Sequence, residues 1–164
     1  MLFKLSKLSC RIELIQINPL DNQQNKEMMP MIKVIAGEKG PGKTAQLVED
    51  INEQATTDNN IVCIQRGHRL DRLLKYRVRL VDLDEYPVEG FEQFLSFVAG
   101  ICAKDYDVTH IYVDSILKIT GETDFERFGA FLDKLNSFLG EKITATIICS
   151  RAADVLPESV TKYC

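Results

Sequence analysis

Met31-Ile32-Lys33-Val34-Ile35-Ala36-Gly37-Glu38-Lys39-Gly40-Pro41-Gly42-Lys43-Thr44 is the stretch on which the reading of this chain turns. A short apolar run, over 31–36, has the character of a buried strand. It runs directly into G-x-x-x-x-G-K-T over 37–44, and a helical pattern follows at once. Gly37, Gly40 and Gly42 permit the backbone to curl with its amides pointing inward. The helix that starts behind the loop adds its positive N-terminal end. A lysine ammonium and a threonine hydroxyl, Lys43 and Thr44, complete a cradle suited to phosphate and a hard divalent cation.

Working outward, strands and helices alternate. Leu47, Val48, Ile51 and Ala55 share one face of a helix expected over 44–55. Thr56 to Asn60 is a turn, and Ile61-Val62-Cys63-Ile64 is a buried strand. Arg79 to Leu83 reads as a third strand. Phe91, Phe94, Leu95, Val98, Ile101 and Cys102 repeat at helical spacing. His110-Ile111-Tyr112-Val113 is a strand ending at Asp114. Phe125, Phe128, Leu132, Leu135 and Leu139 mark a further amphipathic helix, stopped by Gly140. Ile143 to Cys149 is a last strand rich in β-branched residues. The alternation predicts an α/β fold of three layers, α/β/α, around a mostly parallel sheet of about five strands. Ligands bind such sheets beyond the carboxyl ends of the strands.

Composition agrees with an ordinary folded domain. Of 164 residues, 45% are hydrophobic and 27% charged, which argues against disorder and coiled coil. The net charge of −4 disfavours nucleic-acid binding by bulk charge. The five cysteines, Cys10, Cys63, Cys102, Cys149 and Cys164, contain no CxxC pair, and the two histidines, His68 and His110, lie apart. A zinc site is not expected. An odd cysteine count without a secretory signal fits the reducing cytoplasm. No apolar stretch approaches the roughly 18 residues a membrane span needs. Residues 1–27 mix Lys4, Lys7 and Arg11 with short apolar runs and then turn polar. Met28, Met29 and Met31 directly precede the first strand, so 28–164 is expected to be the complete domain and 1–27 a dispensable extension.

The placement of 37–44 between strand and helix resembles the Walker A motif of P-loop NTPases. The resemblance implies a nucleoside triphosphate, usually ATP, bound with Mg²⁺ by Gly37, Glu38, Lys39, Gly40, Pro41, Gly42, Lys43 and Thr44. Lys43 would reach the β- and γ-phosphates, and Thr44 would hold the metal. His110 to Asp114 resembles Walker B, which implies that Asp114 holds Mg²⁺ through a water. Ser115 stands where many such ATPases carry a catalytic glutamate, so slow or partner-activated ATP hydrolysis is expected. Gln65, at the tip of the second strand, is either a water-orienting residue, as in some RecA-like enzymes, or a solvent-facing strand end. Asp82 and Asp84 are further tip candidates. Ser150 matches a γ-phosphate sensor position, and Arg151 is a candidate to act across a subunit interface or a plain surface arginine.

The chain lacks N-K-x-D, D-x-x-G and L-S-G-G-Q, and Glu38 replaces the lysine that MinD/ParA-like loops carry after the first glycine. It is most similar in style to small bacterial P-loop proteins labelled by likeness to twitching-motility ATPases. Pilus-retraction enzymes add a separate N-terminal domain with His and Asp boxes, for which this chain has no room. A RecA-like order, with the 143–149 strand between the first strand and the one ending in Asp114, is favoured. Adjacency of those two strands would mark the kinase–GTPase branch, and with it the alternative of a small-molecule kinase. A nucleotide-sensing interaction module without turnover is the third reading. Arg66, Arg69, Arg72, Lys75, Arg77 and Arg79 crowd behind the second strand, opposed only by Asp71. They read as a solvated helix face, as a contact for an acidic protein partner or a nucleic acid, or as a cradle for a second phosphate substrate.

Overall fold

The computed structural model describes residues 31–40 and 42–164. The extension expected over 1–27 and the loop residue Pro41 lie outside them. The chain runs β1 (Ile32–Ala36), α1 (Gly42–Gln54), β2 (Ile61–Gln65), β3 (Arg79–Asp82), α2 (Gly90–Lys104), β4 (His110–Val113), α3 (Ile116–Thr120), α4 (Phe125–Leu139), β5 (Thr144–Cys149) and α5 (Glu158–Thr161). These elements match the sequence expectations to within a residue or two at their ends, apart from the added short helices α3 and α5.

The strands form one five-stranded sheet in the order β1-β5-β4-β2-β3, and every neighbouring pair is parallel. β5 separates β1 from β4, which is the RecA-like arrangement. Apolar residues point to both sides, as parallel strands covered by helices require. On one face, Ile32, Val34, Val62, Ile64, Val113 and Ile147 pack under α2, α3, α4 and α5. Phe91 of α2 stacks on Phe128 and Phe131 of α4 with centroids 5.4 Å apart. On the other face, Cys63, Tyr112 and Ile148 meet Leu47 and Ile51 of α1. Leu70 and Val78 complete that layer.

Residues 66–78 are a chain of turns rather than the helix that one reading of the basic stretch requires. The apolar residues Leu70 and Val78 pin it to the sheet at two points. Between them its polar groups are satisfied by Gln65 and Asn52, which receive the Leu70 and Lys75 N–H groups. Local side-chain acceptors of this kind compete with helical pairing.

The ends of the elements are chemically explained. Asp124 caps α4, its carboxylate accepting from the N–H groups of Glu126 (3.0 Å) and Arg127 (3.1 Å). Gly140 ends it with a φ of 58°, which glycine adopts without cost. The outer edge of β1 is covered by the last residues of the described chain, Val34 donating to the carbonyl of Tyr163 at 2.7 Å.

Candidate functional site

Parallel strands end on one side of the sheet. The register pairs Ala36 with Cys149, Val113 with Ile147, Ile64 with Val113, and Gln65 with Asp82. The tips Gly37, Gln65, Asp82, Asp114 and Ser150 therefore gather along one edge. The 37–44 loop leaves β1 at this edge and turns into α1. Its entry is tied to the end of β5, because Gly37 donates to the Arg151 carbonyl at 2.7 Å.

Within the loop, the Lys43 ammonium donates to the carbonyl of Glu38. A Cβ on Gly37 would stand 3.4 Å from Lys43 Cδ and 3.6 Å from its Nζ. Such a Cβ would only touch the lysine stem at ordinary van der Waals distance. Neither Gly37 nor Gly40 uses a positive φ here; the left-handed glycines among the described residues are Gly67, Gly90, Gly121 and Gly140.

Two cavities open on this loop. One, of about 450 Å³, brings together Lys43, Thr44, Ser115, Lys118, Ser150 and Arg151. The other, of about 730 Å³, runs along the outer side of α1 past Ala45, Val48, Glu49 and Leu73. Lys39, Gly40, Thr44 and Arg69 line both. The first is rich in cations, and among the described residues its wall has no carboxylate or imidazole. The second is mainly apolar with one acid, Glu49.

Asp114 sits at the end of β4, only 5% exposed. Its N–H continues the ladder to Ile64 O at 2.9 Å. Ser115 follows in the left-handed region, φ 65° and ψ 67°, and turns the chain sharply into α3. This conformation is uncommon for a residue with a side chain. The Ser115 hydroxyl lies 3.3 Å from Asp114 Oδ1. The other carboxylate oxygen, Oδ2, accepts from Arg69 Nη2 at 2.8 Å, and the same nitrogen reaches Thr44 Oγ1 at 3.0 Å. The Thr44 hydroxyl and the Asp114 carboxylate thus converge on one cationic atom. A hard cation at this point would find the same two oxygen donors. No group of three or more His, Cys, Asp or Glu side chains gathers among the described residues. Phosphate oxygens and waters would have to supply the remaining ligands.

The other strand tips serve the 66–71 turn. Gln65 is not a solvent-facing strand end. It is 1% exposed, its amide donating to Asp71 Oδ1 at 2.7 Å and accepting from Leu70 N at 3.0 Å. It belongs to neither cavity wall. Asp82 accepts from Gly67 N (2.9 Å) and Asp84 N (3.0 Å). Burial opposes its ionisation, but these two N–H groups, with His68 and Arg66 nearby, outweigh burial and hold the carboxyl below its ordinary value. Asp84 pairs with Arg66 at 3.2 Å. Arg66 also donates to the carbonyls of Val88 (3.2 Å) and Ile119 (3.0 Å).

The basic stretch is therefore divided in its work. Arg66 and Arg79 make structural ion pairs, Arg79 with Asp105. Arg69 reaches the site. Arg72, Lys75 and Arg77 remain exposed, beside Tyr76 at 96% exposure. Cys63 and Cys149 are buried core thiols; burial first, and for Cys63 then the Asp114 charge, push them above their ordinary range, Cys149 to about 11. Sequence reasoning missed Arg69 as a site residue, and also Lys118 and Thr123 on the cavity wall. The signal for Arg69 was its place in a basic run just after a strand tip. For Lys118 and Thr123 no signal precedes the fold.

No protein-family model matches this chain, and no curated protein does. Among solved structures, it is similar to the flagellar accessory protein FlaH from Methanocaldococcus jannaschii, with a TM-score of 0.48 and 20% identity. The match covers 79% of this chain and 64% of that one. No helix among the described residues is long and apolar enough to cross a membrane.

Proposed function

We propose that this chain binds Mg-ATP and hydrolyses it slowly or when a partner activates it. The observation that carries this reading is the convergence of Thr44 Oγ1 and Asp114 Oδ2 on a single guanidinium nitrogen, beside the loop that carries Lys43. Gly37, Glu38, Lys39, Gly40, Pro41 and Gly42 would wrap the phosphates, with Lys43 against the β- and γ-oxygens. Thr44 and Asp114 would hold Mg²⁺, which when bound draws off charge from the phosphate oxygens. Ser150 and Arg151 line the same cavity as Lys43 and would meet the terminal phosphate.

Slow turnover follows from what the cavity wall lacks. Among the described residues it carries no carboxylate or imidazole that could orient and deprotonate a water. Ser115 adjoins Asp114 where an acid would serve, and Gln65 is engaged with Asp71 and Leu70. A partner or a second copy of the chain that supplies the missing group would accelerate hydrolysis. A small-molecule kinase fits less well, because β5 lies between β1 and β4.

The test is thermal unfolding with Mg-ATP, with Mg-GTP and without ligand, on wild type and Lys43→Ala. Ligand at about 100 times Kd stabilises by roughly 2.7 kcal/mol, or several degrees. A shift with ATP that Lys43→Ala abolishes is the expected result. No shift with either nucleotide overturns the reading. Acceptor-independent phosphate release then separates an ATPase from a sensing module without turnover.

A further inference from the structure

Resting on that reading of the site, we infer that Arg69 is an internal competitor for the metal position: its guanidinium holds Thr44 and Asp114 in the absence of nucleotide, and Mg²⁺ enters with the nucleotide only by displacing it. One guanidinium nitrogen lies 3.0 Å from Thr44 Oγ1 and 2.8 Å from Asp114 Oδ2. A cation held by Thr44 Oγ1, with its water on Asp114 Oδ2, would have to occupy the same space. Two positive charges a few ångströms apart also repel. Occupation is therefore exclusive.

The turn that presents Arg69 is fastened on both sides of it. Leu70 is wholly buried, and its N–H is received by Gln65. Asp71 is held by Gln65 at 2.7 Å and by His68 at 3.1 Å. The backbone at Arg69 is thus fixed, while its side chain is 61% exposed and has a way out. Its carboxylate partner has no such freedom, being only 6% exposed in its side chain. A buried carboxylate left unpaired is costly, so Asp114 requires one cation or another at all times. Arg69 serves while the site is metal-free. It also lines both cavities, as Lys39, Gly40 and Thr44 do.

The experiment compares the affinity of a fluorescent non-hydrolysable analogue, mant-AMP-PNP, in MgCl₂ and in EDTA. The quantity read is the factor by which Mg²⁺ tightens binding. Removing the competitor in Arg69→Ala is expected to enlarge this factor about fivefold, the worth of one partly exposed charge pair. Arg69→Gln, which retains a donor but no charge, is expected to do the same and serves if the alanine variant folds poorly. Asp114→Ala is expected to bring the factor close to one. An unchanged or smaller factor in both Arg69 variants, with the loss in Asp114→Ala intact, overturns the competitor role and leaves the nucleotide site standing. Failure of the analogue to bind wild type in either buffer overturns the site reading and this inference together.

Discussion

The Lys43 ammonium rests on the backbone carbonyl of Glu38, within its own loop. The residue expected to meet phosphate is thus satisfied by the loop itself when none is bound. This contact is exposed, so it adds little to the fold. Lys43→Ala should leave the ligand-free unfolding temperature nearly unchanged, within about 0.5 kcal/mol in stability. The same substitution should remove the stabilisation by Mg-ATP. Differential scanning fluorimetry on both proteins reads both quantities, and a large drop without ligand would show that the lysine is structural.

Gln65 should matter more to stability than its strand-tip position implies. Gln65→Glu keeps an acceptor for Leu70 N–H but sets a second carboxylate against Asp71, 2.7 Å away in the present bond. The variant should lose about 1–3 kcal/mol, the cost of breaking a buried hydrogen bond and pairing like charges. Adding Asp71→Asn should restore most of it. Chemical denaturation of the single and double variants checks this, and additive losses would contradict it.

Gly129 of α4 is where α5 comes closest. A Cβ there would stand 2.3 Å from Ser159 Oγ and 2.5 Å from Ser159 Cβ, with the Ser159 backbone carbon at 3.3 Å. Alanine is the better helix former by about 1 kcal/mol. The clash should nonetheless prevail, and Gly129→Ala should destabilise by roughly 1–3 kcal/mol. Ser159→Gly in the same chain should recover part of the loss, since the backbone contact persists. Calorimetry on the pair decides the matter.

Asp82 links the turn at Gly67 to pH. Its folded carboxyl ionises below the ordinary 3.8, so its stabilisation is complete above that value. It is lost as pH falls through the lower, folded value. Asp82→Ala should lower stability at neutral pH by about 1 kcal/mol for each backbone hydrogen bond removed. The gap between wild type and variant should then narrow as pH drops below 3.8. Unfolding temperatures recorded across that range give the comparison.

The strands, the helices α1, α2 and α4, and the 37–44 loop were legible because each is written in neighbouring residues. Val34 and Ile35 continue straight into Gly37, and Phe125, Phe128, Leu132, Leu135 and Leu139 repeat at the helical period. The strand order was an expectation carried by a resemblance. The sheet places β5 between β1 and β4, which apolar spacing alone could not decide, because many orders bury the same strands equally well.

The fate of polar tips was not legible, since it depends on partners distant in sequence. Gln65 in isolation carries no mark of burial; it becomes a core residue only when Leu70 folds back against the sheet and brings Asp71 with it. Arg69 is one of several similar cations until tertiary folding sets it beside Asp114, 45 residues away. What the sequence by itself determined is the period of each element and the type of loop, because backbone geometry and apolar spacing are local. Which arginine stands between Thr44 and Asp114 was decided only by the tertiary structure. A single cation can be chosen from a basic run only by the position of the oxygens that will receive it.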